Sequence, residues 1–129
     1  MSTIRGGDVK RFVFAGREYA AAVDSEWEYV PGRSGRAENE VQILPNGEMT
    51  TTQRLRPVGI TSATLSVKPG TGDVEFLHNK AKEATVEPFV MELANGQSYA
   101  GSGVPNGEMI PNSMGQLECA FLGANFEAI

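Results

Sequence analysis

The sequence holds a single cysteine, Cys119, and a single histidine, His78. One cysteine cannot close an internal disulfide, and one residue of each kind leaves no ligand set for a cysteine-built metal site. Aromatic residues make up only 8% of the chain. Basic residues are outnumbered, 11 Lys and Arg against 16 Asp and Glu, which gives a formal charge of −5. An acidic chain is ill suited to gripping nucleic acid, whose phosphates require Lys and Arg counter-charge. It is compatible with letting a duplex pass. No apolar run approaches the roughly 20 residues of a membrane-spanning helix, and no membrane partner is expected. The opening residues, MSTIRGGD, lack the apolar stretch of a secretory signal, so synthesis in a cytoplasm is expected.

What the chain does have is turn chemistry and short alternating stretches. Its 129 residues suit one domain, 1–129, and 40% hydrophobic with 21% charged residues is an ordinary globular balance. Fifteen glycines and seven prolines, scattered in pairs and short clusters, imply many turns between short elements. Residues 1–9 are small and polar and read as an N-terminal arm. Trp27 and Tyr29 alternate with Glu26 and Glu28, the period of a half-buried strand. Residues 31–47 follow, poor in apolar side chains at first and closing on Pro45-Asn46-Gly47; they read as a long projecting loop or ragged hairpin. Thr61, Ala63, Leu65 and Val67 form one face of the cleanest strand, with Ser62, Thr64, Ser66 and Lys68 on the other, and Pro69-Gly70 ends it. Asp73 is placed to cap a helix over residues 74–82, in which Val74, Leu77 and Ala81 share a face. Strands over 86–93 and 97–103 flank the Asn95-Gly96 turn, and a last strand alternates Leu117, Cys119 and Phe121 with Glu118 and Ala120. The expected fold is mainly β: seven or eight short strands in two packed antiparallel sheets, a sandwich or barrel, with one flanking helix.

The residues that bear chemistry are explained without catalysis. Cys119 and His78 would make a nucleophile pair only with a third residue to orient them. Cys119 instead alternates inward like a core thiol, and His78 sits in the predicted helix. Asp24, Glu26 and Glu28 crowd together but lack the glycine-punctuated oxygen-ligand spacing of a calcium loop. Gly101-Ser102-Gly103 does not open a helix, as a phosphate loop must. Arg33 and Arg36 are followed by Glu38 and Glu40, which suggests a mixed-charge contact surface and not an anion site. No catalytic residue, metal or cofactor is expected.

One stretch carries a family likeness. Phe89-Val90-Met91-Glu92-Leu93-Ala94-Asn95-Gly96-Gln97-Ser98-Tyr99 resembles the hairpin of Mu-like phage tail tube proteins, in which an apolar strand ends in Leu-Ala-Asn-Gly and the return strand carries an aromatic. Gly115-Gln116-Leu117-Glu118-Cys119-Ala120-Phe121-Leu122-Gly123 is similar to the closing strand of that family, and residues 57–83 follow its order of strand, break and acid-capped helix. The likeness covers residues 40–129 as many small matches. It departs in the N-terminal third, where the Trp27/Tyr29 strand and the Arg-bearing loop have no counterpart.

The resemblance implies a structural subunit of a virion. Such subunits form hexameric rings in which one sheet from each copy joins a continuous inner β-barrel, and the rings stack into a tube that conducts DNA during ejection. It also implies a tail sheath protein outside, a tape-measure protein and DNA passing through the lumen without specific binding, and assembly in the host cytoplasm. The expected contact loop holds Pro31, Arg33, Arg36, Glu38, Glu40, Val41 and Ile43. Six copies at −5 carry about −30 per ring, so an electronegative bore is expected, lined from among Glu26, Glu28, Glu48, Ser62, Thr64, Ser66 and Glu92. Two alternatives stand beside it: the tube of a bacterial injection device, and a carbohydrate- or ligand-binding β-sandwich with Trp27, Tyr19 and Tyr29 as its aromatic platform.

Overall fold

Among the described residues, ten strands and one helix follow the alternating and helical stretches of the sequence. They are β1 (Ser2–Arg5), a 3-10 turn (Gly6–Asp8), β2 (Val9–Phe14), β3 (Arg17–Ala21), β4 (Glu26–Val30), β5 (Arg36–Ile43), β6 (Met49–Arg56), β7 (Val58–Ser66), α1 (Asp73–Glu83), β8 (Glu87–Leu93), β9 (Ser98–Asn106) and β10 (Gln116–Ala128). The computed structural model describes residues 2–68, 70, 72–108 and 110–129, and the side chain of Ser2 is left undescribed. Pro69, expected to end a strand, therefore lies outside the described residues.

All ladders are antiparallel, and eight strands run in the order β1-β4-β7-β10-β9-β8-β2-β3. A further pairing of β3 with β7, at Ala20–Ser66 and Ala21–Leu65, closes six of them into a barrel. The two packed sheets expected from the alternation are opposite walls of that barrel. β4 and β1 continue the sheet from the first half of β7. β5 and β6 form a separate two-stranded sheet between β4 and β7 in the chain.

The core is aromatic. Phe12, Phe14, Trp27, Phe89, Phe121 and Phe126 are fully buried. Phe12 of β2 reaches Phe121 of β10 at 4.8 Å between ring centroids and meets Trp27 edge-on at 5.6 Å. Such pairs add to the burial of large apolar surface, which is the dominant favourable term here. Trp27 also donates its indole N–H to Ser25 Oγ at 3.1 Å. In α1, Leu77 is buried and Phe76 stands edge-on to Phe14, so the helix lies against the barrel.

Several sequence expectations change. The supposed arm is structure: β1 pairs with β4 through Ser2–Tyr29, Thr3–Glu28, Ile4–Trp27 and Arg5–Glu26, and Val9 begins β2. Short polar residues hid this strand, whose Ile4 packs partly buried against the core. On β7, Ile60 and Val58 take the inward places and Thr61, expected beside Ala63, does not. Bulges between Glu28 and Tyr29 and between Cys119 and Phe121 reset the alternation there. Asp73 is the first residue of α1 and not its cap; Gly72, in the left-handed region, precedes it with no side-chain hydrogen bond. Asp73 instead accepts from Arg17, Nε to Oδ1 at 3.0 Å. Val86 falls outside β8, and β9 runs to Asn106, beyond the expected 103. Gly103 lies opposite Gly123 in the β9–β10 ladder, and a Cβ on either would strike the other strand's backbone. The Gly-Ser-Gly stretch is thus sheet packing.

Candidate functional site

Residues 31–47 read from the sequence as a long projecting loop or ragged hairpin. The structure has the hairpin, regular and longer than expected, over residues 36–56, with eight cross-strand pairs from Arg36–Arg56 to Ile43–Met49. Every residue of β5 and β6 is exposed. The turn is built by Asn46, whose Oδ1 accepts from the Glu48 N–H at 3.0 Å, with Gly47 at φ +87°. Pro45-Asn46-Gly47 announced this turn. The second strand, MTTTQRLR, escaped notice because hydroxyls and arginines occupy its positions and leave little hydrophobic contrast.

The hairpin is fastened at its root. Gly32 and the closing part of β10 exchange backbone bonds, Gly32 N to Phe126 O at 2.8 Å and Phe126 N to Gly32 O at 2.9 Å. Gly35 N donates to Ala124 O at 2.7 Å, and Ser34 N donates to Asn125 Oδ1 at 3.0 Å. Arg33 adds a two-pronged contact to Glu127, Nε to Oε1 at 2.8 Å and Nη2 to Oε2 at 3.3 Å. This hydrogen bond and the guanidinium charge hold the Glu127 carboxyl below the usual carboxylate range. Further out, Arg56 Nε donates to Glu38 Oε2 at 2.7 Å, and that bond lowers the Glu38 pKa.

Of the residues expected in the contact loop, Arg33 is thus part of the root, as is Pro31 beside the bridge at Gly32. Arg36, Glu38, Glu40, Val41 and Ile43 lie on the first hairpin strand, opposite Arg56, Arg54, Thr52, Thr51 and Met49.

The expected lumen residues separate into three places. Glu26 and Glu28 of β4 alternate with buried Trp27 and Tyr29, so both point away from the core. Glu28 lies opposite Ser62 in the ladder with β7, and Thr64 and Ser66 follow on the same outer face. Glu118 of β10, opposite Thr64, belongs to this face too and was not among the expected residues. Its alternation with Leu117 and Cys119 was the signal for it. Glu48 sits apart at the hairpin turn, and Glu92 sits on β8, 3.7 Å from Lys10 Nζ. One acidic, hydroxyl-bearing strip therefore runs over β4, β7 and β10, while Glu48 and Glu92 lie elsewhere.

The remaining reactive groups are not assembled. Cys119 is buried, and burial pushes its thiol pKa up to about 12, with Glu118 adding to the effect. His78 is exposed on α1. Among the described residues no group of three or more His, Cys, Asp or Glu could hold a metal ion. Trp27, Tyr19 and Tyr29 are 0%, 3% and 8% exposed and cannot serve as a sugar-binding platform. Comparison with family models, curated proteins and solved structures finds no match.

Proposed function

We propose that this chain is the structural subunit of a phage-type tail tube, assembling through its hairpin into stacked hexameric rings. The observation that supports this best is the hairpin itself: eight fully exposed cross-strand pairs, held firmly at the root and covered by nothing among the described residues. A two-stranded hairpin in water is marginal by itself, and long exposed strand edges are sites of pairing with other chains. β1 adds a further edge, at the end of the barrel's sheet order. A ring uses such edges by closing on itself. In this reading the hairpin reaches a subunit of the adjacent ring, and the strip of Glu26, Glu28, Ser62, Thr64, Ser66 and Glu118 faces the bore. An acidic and hydroxyl-lined bore would repel a duplex weakly and evenly, so that DNA slides without sticking. A sheath protein outside and a tape-measure protein within follow from the family likeness. The tube of a bacterial injection device, which shares the fold, is the second reading.

Negative-stain microscopy and light scattering of the purified chain test the proposal. Six-membered rings, lengthening into tubes at high concentration, are the expected result. A monomer at every concentration, with no rings on the grid, would remove it.

A further inference from the structure

The barrel closes on its shortest ladder. β3 meets β7 at Ala20–Ser66 and Ala21–Leu65, and just beyond β3 the Ala22 N–H donates to Thr64 O at 2.9 Å. On its other side β7 pairs with β10 from Gln116–Ser66 to Gly123–Val58. Past Ser66 the two strands of the seam part. Val67 N turns to Gly115 O at 2.8 Å, and a groove of about 490 Å³ opens, lined by Glu18, Tyr19, Ser66, Lys68 and Asp73 among others.

The far end of that gap is bridged by α1. Arg17, the first residue of β3, donates from Nε to Asp73 Oδ1 at 3.0 Å, and its Nη2 stands 2.9 Å from the same oxygen. Tyr19 donates its hydroxyl to the Asp73 carbonyl at 3.3 Å. The Arg17 guanidinium also lies 5.1 Å from the centre of the Phe76 ring, whose edge-on partner is Phe14 of β2. One turn on, Lys80 reaches Glu87 of β8 at 3.2 Å and flanks the same ring at 5.6 Å. These partners stand on β3, β2 and β8, across the seam from β7, whereas the helix is tied to β7 by the chain itself.

We infer that α1 is a latch on the barrel seam: its grip on Arg17 and Tyr19 holds β3 against β7, and releasing that grip opens the barrel there and nowhere else. The Arg17–Asp73 pair is suited to this. Its side chains are 34% and 19% exposed, so the contact is partly shielded from water and stronger than a surface ion pair. The seam ladder is too short to offer comparable resistance once the pair is gone. Opening would leave β3 and the end of β7 with unpaired backbone groups, the kind of edge that pairs with other chains. The latch therefore keeps a second set of edges closed while β1 and the hairpin stay available.

Amide hydrogen exchange in the full chain, followed residue by residue, provides the test. Arg17→Met keeps an apolar stem beside Phe76 and removes the guanidinium. Exchange of the Ala22 N–H, which bonds across the seam, should quicken about tenfold, the factor expected for losing one charged hydrogen bond. Amides of the β9–β10 ladder should keep the parent's rate. Asp73→Asn retains an acceptor for Arg17 and should give the same local pattern, only smaller. The parent supplies a reading that needs no variant: low urea should leave Ala22 exchange almost unchanged, as for local opening, while the β9–β10 amides follow global unfolding. Equal acceleration of seam and β9–β10 amides would mean that the helix only adds to overall stability, and would overturn the latch. So would an Ala22 rate that Arg17→Met leaves untouched. If Arg17→Met does not fold, Asp73→Asn and the urea series decide: no quickening at Ala22 in the one, or a global urea response at Ala22 in the other, overturns the inference.

Discussion

The barrel and the hairpin are built on opposite principles from the same kind of ladder. In the barrel each strand buries one face, and six large aromatics meet in the interior. In the hairpin neither face is covered, and no residue of β5 or β6 belongs to the core. Both halves use antiparallel pairing, turn glycines and cross-strand ion pairs. What separates them is whether apolar surface leaves water within one chain. The barrel is stabilised by its own burial, whereas the hairpin's apolar side chains gain nothing until another surface arrives.

The most severe way to break the comparison is to remove one side of it. Replacing residues 36–56 with a short Gly-Ser linker should leave the barrel folded, because the root bonds of residues 32–35 and the whole aromatic core remain. Tube growth should stop completely. Circular dichroism and microscopy of the same preparation check both halves of that outcome, and normal tubes without the hairpin would refute its role.

Single substitutions sharpen the same contrast. Phe121 touches the rings of Phe12, Phe14 and Phe89 and is fully buried, so Phe121→Ala should cost about 3–5 kcal/mol of stability. Ile43→Ala in the dilute monomer should change stability by less than about 0.5 kcal/mol, since its side chain already stands in water. Urea unfolding monitored by Trp27 fluorescence measures the two on one scale. A large loss from Ile43→Ala in monomer would mean that the hairpin is not the independent appendage it looks to be.

How much of this was legible in the sequence follows the same division. The barrel strands were readable wherever one face is buried, because burial enforces alternation: Trp27 and Tyr29 against Glu26 and Glu28, or Leu117, Cys119 and Phe121 against Glu118. The helix was placed within one residue at either end. β1 was missed because Ile4 is its one apolar residue, and an edge strand of Ser, Thr and Arg around it has no contrast to read. β6 was missed for the same reason, its apolar side holding Thr51 and Gln53 between Met49 and Leu55. Closure of the barrel rests on two residue pairs, Ala20–Ser66 and Ala21–Leu65, that no local pattern announces. For the candidate site, sequence identified the residues of β5 but not their two faces, since faces need the register with β6. It likewise grouped Glu48 and Glu92 with Glu28 as outward carboxylates of strand faces, and only the ladder separates them.

The acidic strip offers a smaller, conditional effect. Glu28→Lys with Glu118→Lys reverses charge on an outer face without touching the core, so rings and tubes should form as in the parent. If that strip lines the bore, delivery of DNA should fall, because lysines would engage passing phosphates. Added salt should restore part of it by screening those contacts. Unimpaired delivery would place the strip on the outer wall.

The smallest effect expected concerns the joint between the two regions. Arg33 and Glu127 are both well exposed, so their contact adds little to global stability, but it is one of the bonds that set where the hairpin leaves the barrel. Because the hydrogen bond from Arg33 lowers the folded-state pKa of Glu127, the contribution is present above the unfolded value of about 4.3 and is lost as pH falls through the lower folded value. Acid should therefore loosen the root before it unfolds the barrel. Amide hydrogen exchange at Ser34 and Gly35, whose N–H groups bond to Asn125 and Ala124, should quicken relative to core amides as the pH is lowered towards 3, after correction for intrinsic exchange. Arg33→Gln should show the faster relative exchange already at neutral pH and lose the acid-dependent part. If exchange at these two amides keeps pace with the core across the whole range in both proteins, the backbone bonds alone fix the hairpin, and the ion pair is incidental.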